Sequence, residues 1–225
     1  MTNTEKLLSD CLHEDRQNGL ELKEAYSEFQ KWFVRYRNGD KSLDPNLNGM
    51  IEYNLSEDEA FYILAYTGRC SGWINSNLRE GLSLDSKCKE KFANHLEMAL
   101  DKMPPANEEI VYRMDNPCDV NEIMKWFSKH IGKKFQIPYF LSTAKFDYKN
   151  SEVVWKIRTL QENSNGKDIS DLTNSDGEKE VLFKRNSCFK NISVDRPGKL
   201  INLVEIPATI NCDFLLAGSY HRNIP

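Results

Sequence analysis

The chain has 225 residues, 40% apolar and 28% charged, with a net charge of −4 and a pI near 5.7. A chain of this length makes one large domain or two small ones around a real hydrophobic core, and the acidic balance gives no general field for nucleic acid, so no nucleic-acid partner is expected. No apolar run approaches the ~20 residues of a membrane span and no basic-then-apolar leader opens the sequence, so no membrane association and action in a cytosol are expected.

The six cysteines (11, 70, 88, 118, 188 and 212) include no C-x-x-C pair. Free thiols are the simpler reading, with a disulfide framework as the alternative. The four histidines (13, 95, 130 and 221) show no metal-ligand spacing, so no metal is expected. No phosphate-binding glycine loop and no nucleophile elbow occurs.

In chain order, Leu22, Ala25, Tyr26, Phe29, Trp32, Phe33 and Tyr36 recur at three- and four-residue spacing and predict a helix ending at Asn38-Gly39-Asp40. A loop follows at 44–49. Ser56 and Glu59 form a capping box for a helix carrying Ala60, Phe61, Leu64 and Ala65, which stops at Thr67-Gly68. Trp73, Ile74 and Leu78 mark a short helix closed by Gly81. Phe92, Leu96, Ala99, Leu100 and Met103 form another apolar face, which ends at Pro104-Pro105. From Glu109 the pattern changes. Ile110 to Arg113 is short and β-branched, Asp119 with Glu122 caps a helix with Val120, Ile123, Met124 and Phe127 inward, and strands follow at 139–143, 153–160, 181–184, 189–194 and 200–206. Helices first and strands after predict an α+β fold, with residues 1–48 as a helical N-terminal extension packed on the core and 49–225 as the main domain.

The segment Glu178-Lys179-Glu180 opens the apolar run Val181-Leu182-Phe183. Carboxylates two residues apart on a strand share a face and repel, which a fold accepts when both are solvated or both face a cation. The loop before them contributes Asp168, Asp171 and Asp176, an acidic environment suited to a basic substrate or simply to solvent. Phe146, Tyr148 and Trp155 follow Ser142; Trp155 reads as core, and the other two as candidates to stack on an aromatic ligand.

Four pieces occur in order: Ala65-Tyr66-Thr67-Gly68, Val111-Tyr112-Arg113, Phe140-Leu141-Ser142-Thr143-Ala144 and Glu178-Lys179-Glu180-Val181-Leu182-Phe183. Each alone is weak. Together, across residues 50 to 206, the chain resembles the arginine-directed mono-ADP-ribosyltransferases with their Arg / Ser-Thr-Ser / Glu-x-Glu signature. Met114 stands where that family has glycine, and Ala144 replaces the third residue of Ser-Thr-Ser.

The resemblance implies a split, mostly antiparallel β core around an NAD cleft, with NAD⁺ as substrate and no metal. It implies that Arg113 grips the phosphates and ribose, that Ser142 orients a carboxylate, and that Thr143 and Phe146 complete the dinucleotide site. It gives Glu180 the stabilisation of the oxocarbenium-like transition state, and Glu178 the orientation and deprotonation of an acceptor guanidinium. The partner implied is a target protein bearing an acceptor arginine, with a secreted effector or toxin delivered into a host cell as the setting. For residues 1–48, structural packing is the first expectation, and a chaperone, an immunity protein or the target is a further partner. Hydrolysis of NAD⁺ by the same pocket, an inactive binding copy of the fold, and a chance match on a plain α+β protein are the competing readings.

Overall fold

The computed structural model describes residues 2–40, 48–117, 119–147, 151–172 and 179–216, without the side chains of Asn48 and Arg69. The chain divides into two compact units. The first comprises 1–77, 83–104 and 169–174; the second comprises 78–82, 105–168 and 175–225.

The first unit is helical. Helices α1 (Asn3–Glu14) and α2 (Arg16–Arg37) form a pair in which Thr2 and Asp15 cap the two N-termini through their side-chain oxygens. They cross closely at Gly19, where an added Cβ would lie 2.7 Å from the backbone of Cys11 and Leu12. A short helix, α3 (Asn48–Glu52), precedes α4 (Glu57–Ala65), where the Ser56/Glu59 capping box forms as the sequence predicts. Phe61 of α4 meets the ring of Tyr26 at 4.9 Å and that of Phe29 at 5.7 Å. Tyr62 meets Phe92 of α6 (Lys87–Leu100) at 5.3 Å.

The predicted stop at Thr67-Gly68 is instead a π-helical turn, Tyr66–Cys70, that runs straight into α5 (Ser71–Arg79). Buried Asn75 donates from Nδ2 to the hydroxyl of buried Tyr66 (2.9 Å), a tie across the widened turn that local glycine content does not reveal. The free-thiol expectation is corrected for two of the six cysteines. Cys11 and Cys88 are disulfide-bonded with Cα atoms 5.2 Å apart, because α1 packs against α6 and brings together residues 77 apart in sequence. Cys70, Cys188 and Cys212 are not disulfide-bonded. Cys118 lies outside the described residues.

The second unit is built on a nine-stranded sheet in the order β5-β6-β3-β1-β4-β8-β7-β2-β9. The strands are β1 (Ile110–Asp115), β2 (Lys134–Ile137), β3 (Leu141–Ala144), β4 (Val153–Arg158), β5 (Gly166–Asp168), β6 (Glu180–Phe183), β7 (Ser187–Asp195), β8 (Leu200–Ile206) and β9 (Phe214–Leu215). All neighbours are antiparallel except β4–β8 and β2–β9, so the α+β, mostly antiparallel expectation holds. Helix α7 (Val120–Lys129) is capped by Asp119 and packs on the sheet, with Phe127 against the fully buried Trp155 at 5.4 Å. Trp155 is core, as its strand pattern suggests. Strands β2, β5 and β9 have two to four residues each and add to the strands predicted above; each is held by pairing with a neighbour in the sheet.

Candidate active site

Strands β6, β3 and β1 are consecutive in the sheet, and each delivers one piece of the predicted constellation. In the β3–β6 ladder Ala144 lies opposite Glu180, Thr143 opposite Val181 and Ser142 opposite Leu182; Tyr112 of β1 lies opposite Ala144. The Ser142 hydroxyl donates to Glu180 Oε1 at 2.6 Å. Arg113 donates from Nη1 to the Ser142 carbonyl oxygen at 3.1 Å. Residues 29 and 38 apart in sequence thus form one hydrogen-bonded chain from guanidinium to carboxylate.

Glu180 is buried, at 7% exposure, so it is not a solvated strand-end residue. A carboxylate withdrawn from water needs donors, and the short bond from Ser142 supplies a strong one. Thr143, also buried, donates to the carbonyl oxygen of Val181 at 2.7 Å. Its hydroxyl therefore ties β3 to β6, and what it adds to the site is the fixed separation of Ser142 and Glu180.

Three polar groups of the sheet unit go beyond the predicted motifs. Asp115 receives a hydrogen bond from Arg113 Nε (3.3 Å, to Oδ2) and makes an ion pair with Nη2 (3.0 Å, to Oδ1). Lys145, just past the Ser-Thr-Ala run, bonds Asp168 at 2.6 Å and Glu109 at 3.2 Å. Burial works against the charge of Lys145, but the hydrogen bond to Asp168, the charge of Asp168 and then Glu109 outweigh it, so its ammonium pKa lies above the ordinary lysine value. Glu205, 2% exposed, accepts from Leu160 N (2.9 Å), Ser164 Oγ (2.6 Å) and Asn165 N (2.7 Å) and so gathers the loop leading to β5. Burial pushes the Glu205 pKa up despite those three donors. The Arg113–Asp115 contact had a legible signal, since i and i+2 share a face of a strand; the other two depend on long-range pairing.

One sequence expectation changes here. The acidic loop is partly committed to the fold: Asp168 pairs with Lys145, and Asp171 accepts from the Tyr53 hydroxyl at 3.0 Å. Strand β6 begins at Glu180, and Lys179 before it has φ +36°, outside the extended region. Glu178 and Asp176 themselves lie outside the described residues, as does Tyr148. Phe146 is 49% exposed, with the Lys179 ammonium 5.6 Å from its ring centroid. The Cys188 thiol is pushed up to about 12, by burial and then by Cys212, and is no nucleophile at neutral pH. Among the described residues no cluster of His, Cys, Asp and Glu could hold a metal ion, and no helix is long and apolar enough to cross a membrane.

Strands bearing an arginine, a Ser-Thr pair and a glutamate thus adjoin in one mixed, mostly antiparallel sheet. The model of the ADP-ribosyltransferase exoenzyme family matches residues 45–200, over two-thirds of the chain. The protein belongs to that family. Among solved structures, the C3 exoenzyme of Clostridium limosum is 19% identical, with 70% of this chain and 89% of that one covered and a TM-score of 0.56. Exoenzyme S of Pseudomonas aeruginosa, solved with human 14-3-3 protein beta and carba-NAD, is 16% identical over 94% of each chain, with a TM-score of 0.56. The ADP-ribosyltransferase Vis in complex with agmatine is 18% identical, covering 74% of this chain and 83% of that one, with a TM-score of 0.56. At these identities the likeness is one of fold. No curated protein sequence matches the chain.

Proposed function

We propose that this protein transfers ADP-ribose from NAD⁺ to an arginine side chain of a target protein. The observation that carries the reading is the 2.6 Å hydrogen bond from Ser142 to buried Glu180, linked through the Ser142 carbonyl to Arg113. A guanidinium is permanently charged and binds phosphate oxygens in pairs, so Arg113 suits the diphosphate of NAD⁺. In the reaction, the bond from the ribose anomeric carbon to nicotinamide breaks and nicotinamide leaves with the electron pair. The carbon takes on oxocarbenium character. Glu180, held in one orientation by Ser142 and shielded from water, stabilises that charge as it forms. Thr143 keeps β3 and β6 in register, and Phe146 offers an exposed ring for the nicotinamide face.

The acceptor assignment rests on Glu178. A guanidinium nitrogen attacks only as it loses a proton, and a carboxylate at position 178 would orient it and take that proton while the new carbon–nitrogen bond forms. The complex of Vis with agmatine, a small guanidine, is consistent with such an acceptor in a protein of this fold. Residues 1–48 fit an extension ahead of the catalytic domain, since the family match begins at residue 45. The partner would be a target protein with an accessible arginine, met in a host cytosol after secretion as an effector or toxin, with an immunity protein or chaperone as a further partner.

The deciding experiment is incubation with labelled NAD⁺ and a cell lysate, with agmatine as a parallel acceptor and Glu180→Ala as the control. Glu180-dependent label on protein or agmatine is the expected result. Nicotinamide release with no label transferred would replace the reading by NAD⁺ hydrolysis, and no consumption of NAD⁺ would leave a binding protein of the same fold. Glu178→Gln is expected to lose arginine transfer, by about a hundredfold or more, while keeping NAD⁺ hydrolysis. Equal loss of both activities would reject the division of labour between the two glutamates.

A further inference from the structure

We infer that Asp115 is a positioning residue for Arg113, fixing the plane of its guanidinium before the dinucleotide arrives; the inference rests on the NAD⁺ reading above. An arginine side chain has rotamer entropy to lose when it is held for bidentate recognition. Here the loss is met in advance. Asp115 takes Nε and Nη2 at 3.3 and 3.0 Å, and the Ser142 carbonyl takes Nη1 at 3.1 Å. All three guanidinium nitrogens are thus anchored, which defines a plane and not only a position.

The anchor is itself rigid. Asp115 closes β1, and its backbone lies opposite Val153 in a β1–β4 ladder that runs unbroken from Ile110 to Asp115. The two side chains are on one strand, two residues apart, so the pleat delivers the carboxylate to the guanidinium without help from a loop. Their side chains are 17% and 12% exposed, dry enough for the pair to hold its geometry. The carboxylate also offsets part of the arginine charge, so recognition at this point depends on orientation more than on net charge. Met114, between the two residues, leaves the strand straight enough to keep this register: Arg113, Met114 and Asp115 pair in sequence with Trp155, Val154 and Val153.

The test is calorimetric titration of NAD⁺ into the wild type, Asp115→Ala, Arg113→Lys and the double variant. Asp115→Ala is expected to weaken NAD⁺ binding about tenfold in the wild-type background and less than twofold on Arg113→Lys, because the aspartate acts through the arginine. Asp115→Asn keeps the volume and one acceptor oxygen, so it should fall between; it decides the question if the alanine variant does not fold. Asp115→Glu should recover part of the loss, which a merely space-filling role would not give. Unchanged affinity in Asp115→Ala, or the same tenfold loss on both backgrounds, would overturn the inference while leaving the NAD⁺ reading intact. Failure of the wild type to bind NAD⁺ would instead overturn that reading, and the inference with it.

Discussion

The two units of the chain solve different problems. By sequence the helical unit holds 18 acidic and 12 basic residues, and the sheet unit 16 and 18, so the net acidity of the chain belongs to the helices. Among the described residues the helical unit buries three polar side chains, Thr4, Asn75 and Lys89. The sheet unit buries seven, among them the carboxylates Glu180 and Glu205. The first is held by stacked aromatics and a disulfide. The second accepts the cost of desolvating polar groups and offsets it with short, directed hydrogen bonds. The Arg113–Ser142–Glu180 chain, the site of the proposed chemistry, lies wholly in the sheet unit.

The largest test of this contrast is Glu180→Ala. It should lower both transfer and hydrolysis by about a thousandfold, as expected when a preorganised charge stabiliser is removed, with little change in melting temperature. A variant that loses stability in step with activity would make Glu180 a structural residue and erase the distinction. Next is the bridge. Replacing Cys11 and Cys88 by serine should cost about 2–4 kcal/mol of stability, seen as a lower thermal midpoint that reductant mimics in the wild type. NAD⁺ turnover at a temperature where both proteins are folded should be unchanged; a fall in turnover would show that the helical unit contributes to catalysis. The smallest effect concerns Glu205. Its folded pKa is raised above the unfolded reference of 4.5, so its contribution is fully present below that reference and is lost as pH rises through the folded value. The melting temperature of the wild type relative to Glu205→Gln should therefore increase from pH 7 toward pH 4. A pH-independent difference would mean that the three donors balance burial after all.

Much of this was legible locally. The capping pair Ser56 and Glu59, the cap at Asp119, the core position of Trp155 and the β8 span Leu200–Ile206 follow from periodicity and end signals that act within a few residues. The four motifs, each weak alone, pointed to the family through their order along the chain. What failed was whatever depends on a distant partner or a local departure from ideal geometry. The β5 strand, three residues with no apolar member, exists because β6 pairs with it. Lys179, just before β6, has a positive φ, which no propensity for lysine foretells.

The sequence by itself determined the α+β class and the helix starts with strong caps, and its ordered motifs pointed to the family, since these depend on residue type and short-range spacing. Only the tertiary structure decided that Cys11 meets Cys88, that Asp115 and the Ser142 carbonyl hold the arginine, and that Asp168 and Asp171 are committed within the fold. Contacts of that kind are set by strand order and helix packing, which bring together residues up to 118 positions apart, and no local pattern encodes them.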